Sequence, residues 1–312
     1  MQKSISTTAK SAWKELKRNK VLFLMILPAV AFTFIFSYIP MGGIIIAFKD
    51  YKYVAGIWGS KWNGLDNFEA LFKSGKLLLL IKNTIFYNVL FIGAGLVTKI
   101  SLAIFISEMC TKRYKRTMQS FMMLPHFLSW VIAGGMFYNI FNYEFGLMNQ
   151  VLTALGLDRV DIYTNEGVWK YILTFASVWK ETGYGMIFYL AAITGINPEL
   201  YEAARVDGCG IMQRIRYITL PLIKSTTSIL LLLSLGGILK GNMDMFYNLV
   251  GNNGYLYNAT DVIDTYVYRA MLQLNDYGVT GAIGLFQSVI GFVLVVTVNT
   301  ITKKLDSDSA LF

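Results

Sequence analysis

Six long apolar runs separated by short polar stretches organise this chain: Val21–Phe48, Asn83–Ser107, Thr117–Phe141, Val168–Ile196, Ile223–Leu239 and Thr280–Ile301. Each is near the roughly 20 apolar residues that a helix needs to cross the hydrocarbon core of a bilayer. The pattern predicts an all-α integral membrane fold with about six transmembrane helices over residues 21–303. Between the fourth and fifth runs the periodicity changes. Over Asn197 to Pro221, Asn197 is a good N-cap, Pro198 suits the first helical position, Glu199 favours the positive end of the helix dipole and Gly208 is a natural C′ residue. These signals define a helix of about ten residues. Leu200, Ala203 and Ala204 form its small face, flanked by Glu202 and Arg205, which can pair at i,i+3. A second helix follows from Ile211 to Leu220, with apolar positions at Ile211, Ile215 and Ile218 and with Pro221 at the entry to the fifth run. The pair makes a helix–turn–helix too short to be a domain, whose small face could sit in a groove of another protein.

Composition supports the bilayer. Hydrophobic residues make up 55% of 312, charged residues only 15%, and the mean hydropathy is +0.49, too apolar for a soluble domain of this size. The net charge of +9 is not a nucleic-acid stripe, because the basic residues stand at the ends of the apolar runs. They gather in the segment 1–20, at Lys112, Arg113, Lys115 and Arg116, at Arg205, Arg214, Arg216 and Lys224, and at Lys303 and Lys304 before a tail, 304–312. The intervening connections are acidic, with Glu144, Asp158, Asp161 and Glu166 in one and Asp244, Asp261, Asp264 and Asp276 in the other. The positive-inside rule then predicts both termini in the cytosol, with the Asn197–Pro221 loop on the same side. The Lys49 to Lys82 loop is the exception, with more lysines than acids; its Trp58, Trp62, Phe68, Leu71 and Phe72 read as a folded or interfacial segment. The first run is too long for a signal h-region and is read as a retained helix. Cys110 and Cys209 fall on two loops predicted to be cytosolic and are expected as reduced thiols. Glycine pairs in or beside the runs, such as Gly134 and Gly135 or Gly183 and Gly185, suit close helix packing.

The loop also carries a resemblance. Glu202, Ala203, Ala204, three residues, Gly208, nine residues, then Ile218-x-Leu220-Pro221 is similar to the signature of the membrane subunits of binding-protein-dependent ABC importers. The resemblance implies the type I (MetI-like) transmembrane fold and makes Glu202 to Gly208, with Arg205 and Asp207, a coupling helix that fits a cleft on an ATPase. It further implies a second homologous six-helix permease, two cytosolic ATPase subunits and an extracellular lipid-anchored binding protein. Leu124 to Trp130, Trp179 to Gly185 and Asp261 to Arg269 resemble the carbohydrate class, in particular the LplB-like branch associated with oligosaccharides and polysaccharides. The stretch Asn248 to Asn258 departs most from that branch.

A sugar path needs amide and carboxylate partners beside aromatic platforms. Candidates are Trp130, Tyr138, Asn139 and Asn142 in the third run, Trp179, Lys180, Glu181 and Tyr184 in the fourth, and Asn242, Asp244 and Tyr247 at the end of the fifth. Each aromatic also fits an interfacial belt or packing. A charge at a helix centre costs about 2.5–3.5 kcal/mol on insertion scales, so Lys99, Lys180 and Glu181 should face a cavity or a partner. Adjacent helical residues point about 100° apart, so Lys180 and Glu181 cannot both face one narrow pore without additional partners. His126 is the single histidine, which rules out a His-based metal cluster or a Ser-His-Asp triad within the chain, and it reads as a packing residue. No GxxxxGK[ST] phosphate loop is present, so no cofactor is expected on this chain; ATP and Mg belong to a partner ATPase. The chain is therefore expected to be a transport subunit and not an enzyme, carrying a sugar or, alternatively, a non-sugar solute. An ion-coupled carrier, with Lys99, Lys180 and Glu181 as its relay, gives no account of the capped hairpin.

Overall fold

The computed structural model describes residues 17–73, 75–109 and 111–305. Most of the basic segment 1–20, Cys110 and the tail from residue 306 lie outside the described residues. The first run forms α1 (Lys20–Phe48), α-helical to Thr33, then a π-turn at Phe34–Tyr38 and a 3-10 stretch at Gly42–Phe48. Pro40 accounts for the loosening, since it offers no N–H to the carbonyl of Phe36 and the hydrogen-bond ladder must shift. No residue in the most apolar stretch of α1 is buried; only the Gly42–Phe48 end packs, against the last helix, Tyr277–Leu305, with Ala47 fully buried.

The loop after α1 is folded, as its aromatics imply. β1 (Lys49–Asp50) pairs antiparallel with β2 (Lys61–Trp62), Trp62 stacks on Phe48 at 5.8 Å, and Lys49 Nζ donates to the carbonyl of Ile57 at 2.7 Å. Next, α2 (Asp66–Lys73) buries Leu71. The second run becomes α3 (Lys76–Glu108), 33 residues long, which starts before Asn83 because Leu77 to Leu80 extend the apolar stretch.

The third run is not one straight span. It is α4 (Lys112–Phe127) and α5 (Trp130–Phe141), bent by 92°. Leu128 and Ser129 adopt extended backbone, and the Ser129 hydroxyl caps the new helix by accepting from Ile132 N at 3.3 Å. After α6 (Leu147–Ala154) the fourth run forms α7 (Glu166–Thr194). The predicted hairpin follows as α8 (Pro198–Val206) and α9 (Ile211–Leu222).

The fifth run is also corrected. Its helix α10 (Lys224–Gly236) has 13 residues, about 20 Å at 1.5 Å per residue, short of the roughly 30 Å core. It meets α9 at 57°. Asn242, Asp244 and Tyr247 do not extend it: Asn242 caps a separate helix, α11 (Met243–Val250), by accepting from Met245 N at 3.1 Å. α12 (Ile263–Gln273) and α13 (Tyr277–Leu305) complete the chain.

Among the described residues three helices, α1, α3 and α13, are long and apolar enough to cross a membrane, and five spans result if each bent pair counts as one. The 29 residues of α7 are long enough, but Lys170, Lys180 and Glu181 make it less apolar. It is instead the helix around which α3 and α4 pack. A Cβ on Gly183 would lie 1.7 Å from the Met122 carbonyl oxygen, so α7 and α4 touch backbone to backbone. Tyr87, Phe137, Trp169, Leu173 and Phe246 join α3, α5, α7 and α11 in one core cluster. A second, with Ile106, Met186, Tyr189 and Ile223, lies toward the hairpin.

Candidate coupling surface and substrate path

The hairpin is built from local signals. The Asn197 side chain accepts from Glu199 N at 3.1 Å and starts α8. At the other end Cys209 N donates to the Ala204 carbonyl at 2.8 Å and Gly208 N to that of Arg205 at 3.1 Å, the bonding pattern of a Schellman cap. Gly208 sits at φ +78°, where a Cβ is strained, so its place in the motif is a backbone requirement. The Tyr201 and Thr219 hydroxyls lie 2.9 Å apart and tie the two arms together. A π-turn at Ile215–Thr219 precedes Pro221, the same device as in α1.

Glu202, Ala203, Arg205, Asp207, Gly208, Leu220 and Pro221 are exposed, and Ile218 is half-buried. Ala204 is buried, so it is not part of the open small face with Leu200 and Ala203. Other apolar side chains of the hairpin are exposed too: Val206, Met212 and Tyr217, at 88%, 78% and 70%. Val206 follows Ala203 by three residues, a helical spacing that already signalled it. Glu202 and Arg205 do not pair with each other in the structure; both line a cavity of about 530 Å³ beneath the hairpin, together with Lys115 and Arg214. The ion pair that forms has no local signal in the sequence: Arg214, 8% exposed, lies 3.5 Å from Glu108 at the end of α3.

The charged pair in α7 divides. Lys180 is buried, donates to the His126 carbonyl at 2.8 Å and lies 5.3 Å from the Trp130 ring, so it secures the bend between α4 and α5. Glu181 lines a cavity of about 390 Å³ together with Lys99, Tyr184, Phe188 and Ser234. Gly185 makes room for the aliphatic stem of Lys99. His126 belongs to this group: its ring stacks on Tyr184 at 4.5 Å and its Nδ1 stands 3.4 Å from Glu181. The sequence suggests packing for His126, and nothing in its neighbours along the chain signals these partners.

The remaining candidates lie elsewhere. Trp130 and Trp179 pack against the core, and Asn142 accepts from Glu144 N and Phe145 N in the turn after α5. Asn139 is exposed and bonds its own helix at the Gly135 carbonyl. The Tyr138 ring contacts Tyr163, whose phenol burial, with Tyr138 beside it, pushes up to about 12. Asp244 is exposed, and the exposed Tyr247 stacks edge-on against Tyr268 at 5.1 Å.

At the end of α3 away from the hairpin, one polar face holds the α10–α12 connection. Asn83 Nδ2 donates to the Asn258 and Asp261 carbonyls, Tyr87 Oη to the Ala259 carbonyl, and Asn88 Nδ2 to the Ile238 and Lys240 carbonyls, each at 3.0 Å. The Thr84 hydroxyl accepts from Ile263 N at the same distance. Asp261 is itself paired with Arg269 at 2.5 Å. These contacts give the Asp261 to Arg269 stretch its structural meaning.

Comparison with known proteins adds independent support. Residues 95–308 match the family model described as binding-protein-dependent transport system inner membrane component. The chain is 35% identical over 293 residues to Protein LplB of Bacillus subtilis, covering 94% of this chain and 92% of the relative. It is 36% identical over 290 residues to the polygalacturonan/rhamnogalacturonan transport system permease protein YteP of the same organism, covering 93% and 90%. A solved chain of a bacterial alginate ABC transporter, in complex with an alginate pentasaccharide-bound periplasmic protein, superposes with a TM-score of 0.84 at 37% identity, covering 94% of this chain and 97% of that one. Matched by relatives along nearly its whole length, this chain belongs to the family of binding-protein-dependent transport system inner membrane components.

Proposed function

We propose that this chain is one membrane half of an ATP-driven importer that carries an oligosaccharide or polysaccharide delivered by an extracellular binding protein. The observation that carries the reading is the capped hairpin with its exposed apolar side chains, on the same bundle as a cavity lined by Lys99, Glu181 and Tyr184. The near full-length likeness to permeases of polysaccharide importers supports a carbohydrate as the cargo.

In this reading six spans cross the cytoplasmic membrane, α7 among them, and the hairpin and both termini face the cytosol. The unburied apolar stretch of α1 suits lipid or a second, homologous permease. Two ATPase subunits, which hold ATP and Mg, dock on the hairpins of the two permeases. Their closure on ATP moves the hairpins and switches the cavity between outward and inward exposure, a differential stabilisation of two states by a ligand. The permease does no chemistry itself. The test is reconstitution with the cognate second permease, ATPase and binding protein in vesicles. Uptake of an oligosaccharide, and ATP hydrolysis stimulated by the loaded binding protein, are expected; uptake that proceeds without ATP or binding protein overturns the proposal.

A further inference from the structure

We infer that α3 is a strut that links the ATPase-facing hairpin to the outer connection of the permease, with Glu108 and Arg214 as its inner joint and Asn83, Thr84, Tyr87 and Asn88 as its outer one. The inference rests on the function proposed above and adds to it a positioning role that the coupling motif does not contain.

The inner joint is a buried charge with one counter-charge. Arg214 has a side chain 9% exposed, its Nη2 lies 3.5 Å from Glu108 Oε2, and its Nε has no hydrogen-bond partner. Among the described residues no other acid approaches Arg214 within ion-pairing distance. A buried cation deprived of its partner is strongly unfavourable, so the hairpin cannot move far without taking the end of α3 along. Lys115 Nζ, donating to the Ser107 carbonyl at 2.5 Å, fixes the start of α4 to the same helix end. Because Tyr201 and Thr219 couple the two hairpin arms, a push on α8 reaches Arg214 on α9.

The outer joint is of a different kind. Four side chains on one face of α3 engage backbone groups spread from Ile238 to Ile263. Thr84 is fully buried, and Asn83 and Tyr87 nearly so. These residues are not charged, but their loss leaves buried backbone groups unpaired, so the joint is costly to break. Between Asn83 and Glu108 the helix is uninterrupted, about 38 Å at 1.5 Å per residue, more than the roughly 30 Å of hydrocarbon. Midway along it Lys99 enters the cavity beside Glu181. A displacement of α3 therefore acts on the hairpin, the cavity and the outer connection together.

The experiment uses the reconstituted complex and reads the ratio of binding-protein-stimulated to basal ATP hydrolysis at equal complex assembly. Glu108→Gln is expected to assemble, keep basal hydrolysis and lose about tenfold in stimulation, within the usual range of coupling between sites. The exchange Glu108→Arg with Arg214→Glu restores the pair and is expected to regain most of that loss. Thr84→Val, nearly isosteric and remote from the ATPase, is expected to lower the same ratio, which a role confined to folding does not do at equal assembly. It also serves if Glu108→Gln fails to assemble. Wild-type stimulation in both Glu108→Gln and Thr84→Val overturns the strut while leaving the proposed function standing; absence of stimulation in the wild-type complex overturns the function itself.

Discussion

The hairpin and the cavity meet on one bundle but are made in opposite ways. The caps and the turn of the hairpin lie between Asn197 and Pro221: the N-cap, the left-handed glycine, the Schellman bonds and the Tyr201–Thr219 tie. The cavity gathers Lys99 from α3, Glu181 and Tyr184 from α7 and Ser234 from α10, with His126 reaching its edge from the end of α4. A local motif folds as a rigid piece and suits mechanical coupling. A site spread over helices changes shape when they move, which alternating access requires.

Substitutions can break this contrast, and the largest effect is expected at the hairpin. Gly208→Leu places a side chain at φ +78°, costing about 1–2 kcal/mol locally, and adds bulk on the exposed turn. ATPase association, read by co-purification, should be lost, and Glu202→Lys should weaken it by charge. In the core, Trp169→Ala removes a ring that is 1% exposed, with its Nε1 bonded to the Ile162 carbonyl at 3.0 Å. A loss of about 3–5 kcal/mol is expected, seen as a lower Tm of the detergent-solubilised complex. The two neighbours in α7 should then separate. Lys180→Met should lower Tm because it frees the α4–α5 bend, whereas Glu181→Gln should keep Tm and reduce uptake by about tenfold, the loss of a single charged ligand contact. The smallest effect belongs to Asn139→Ala, within about 0.5 kcal/mol and with uptake unchanged, because its amide bonds only its own helix.

Sequence alone read the hairpin well because caps, positive-φ glycines and helix periodicity are short-range signals. It placed the apolar runs but not their breaks. The 92° bend hides in a continuous apolar stretch, since extended backbone at Leu128 and Ser129 costs no hydropathy. The end of α10 at Gly236 is hidden in the same way, so Asn242, Asp244 and Tyr247 read as the end of the fifth run although they belong to α11 and its cap. Polar residues in lipid announced that they need partners but not which ones. Lys180 turned to a backbone carbonyl, Glu181 to a cavity, and Asn142 and Asn242 to capping, choices made by helices distant in sequence. The Glu108–Arg214 pair spans 106 positions and has no local signature.

The central claim is that the hairpin couples this chain to an ATPase while the cavity handles the cargo. Its most direct test is ATPase association and binding-protein-stimulated hydrolysis in Gly208→Leu and Glu181→Gln complexes side by side. The account predicts that Gly208→Leu loses both while remaining inserted in the membrane, and that Glu181→Gln keeps association but transports poorly. Normal association and stimulated hydrolysis in Gly208→Leu would contradict it.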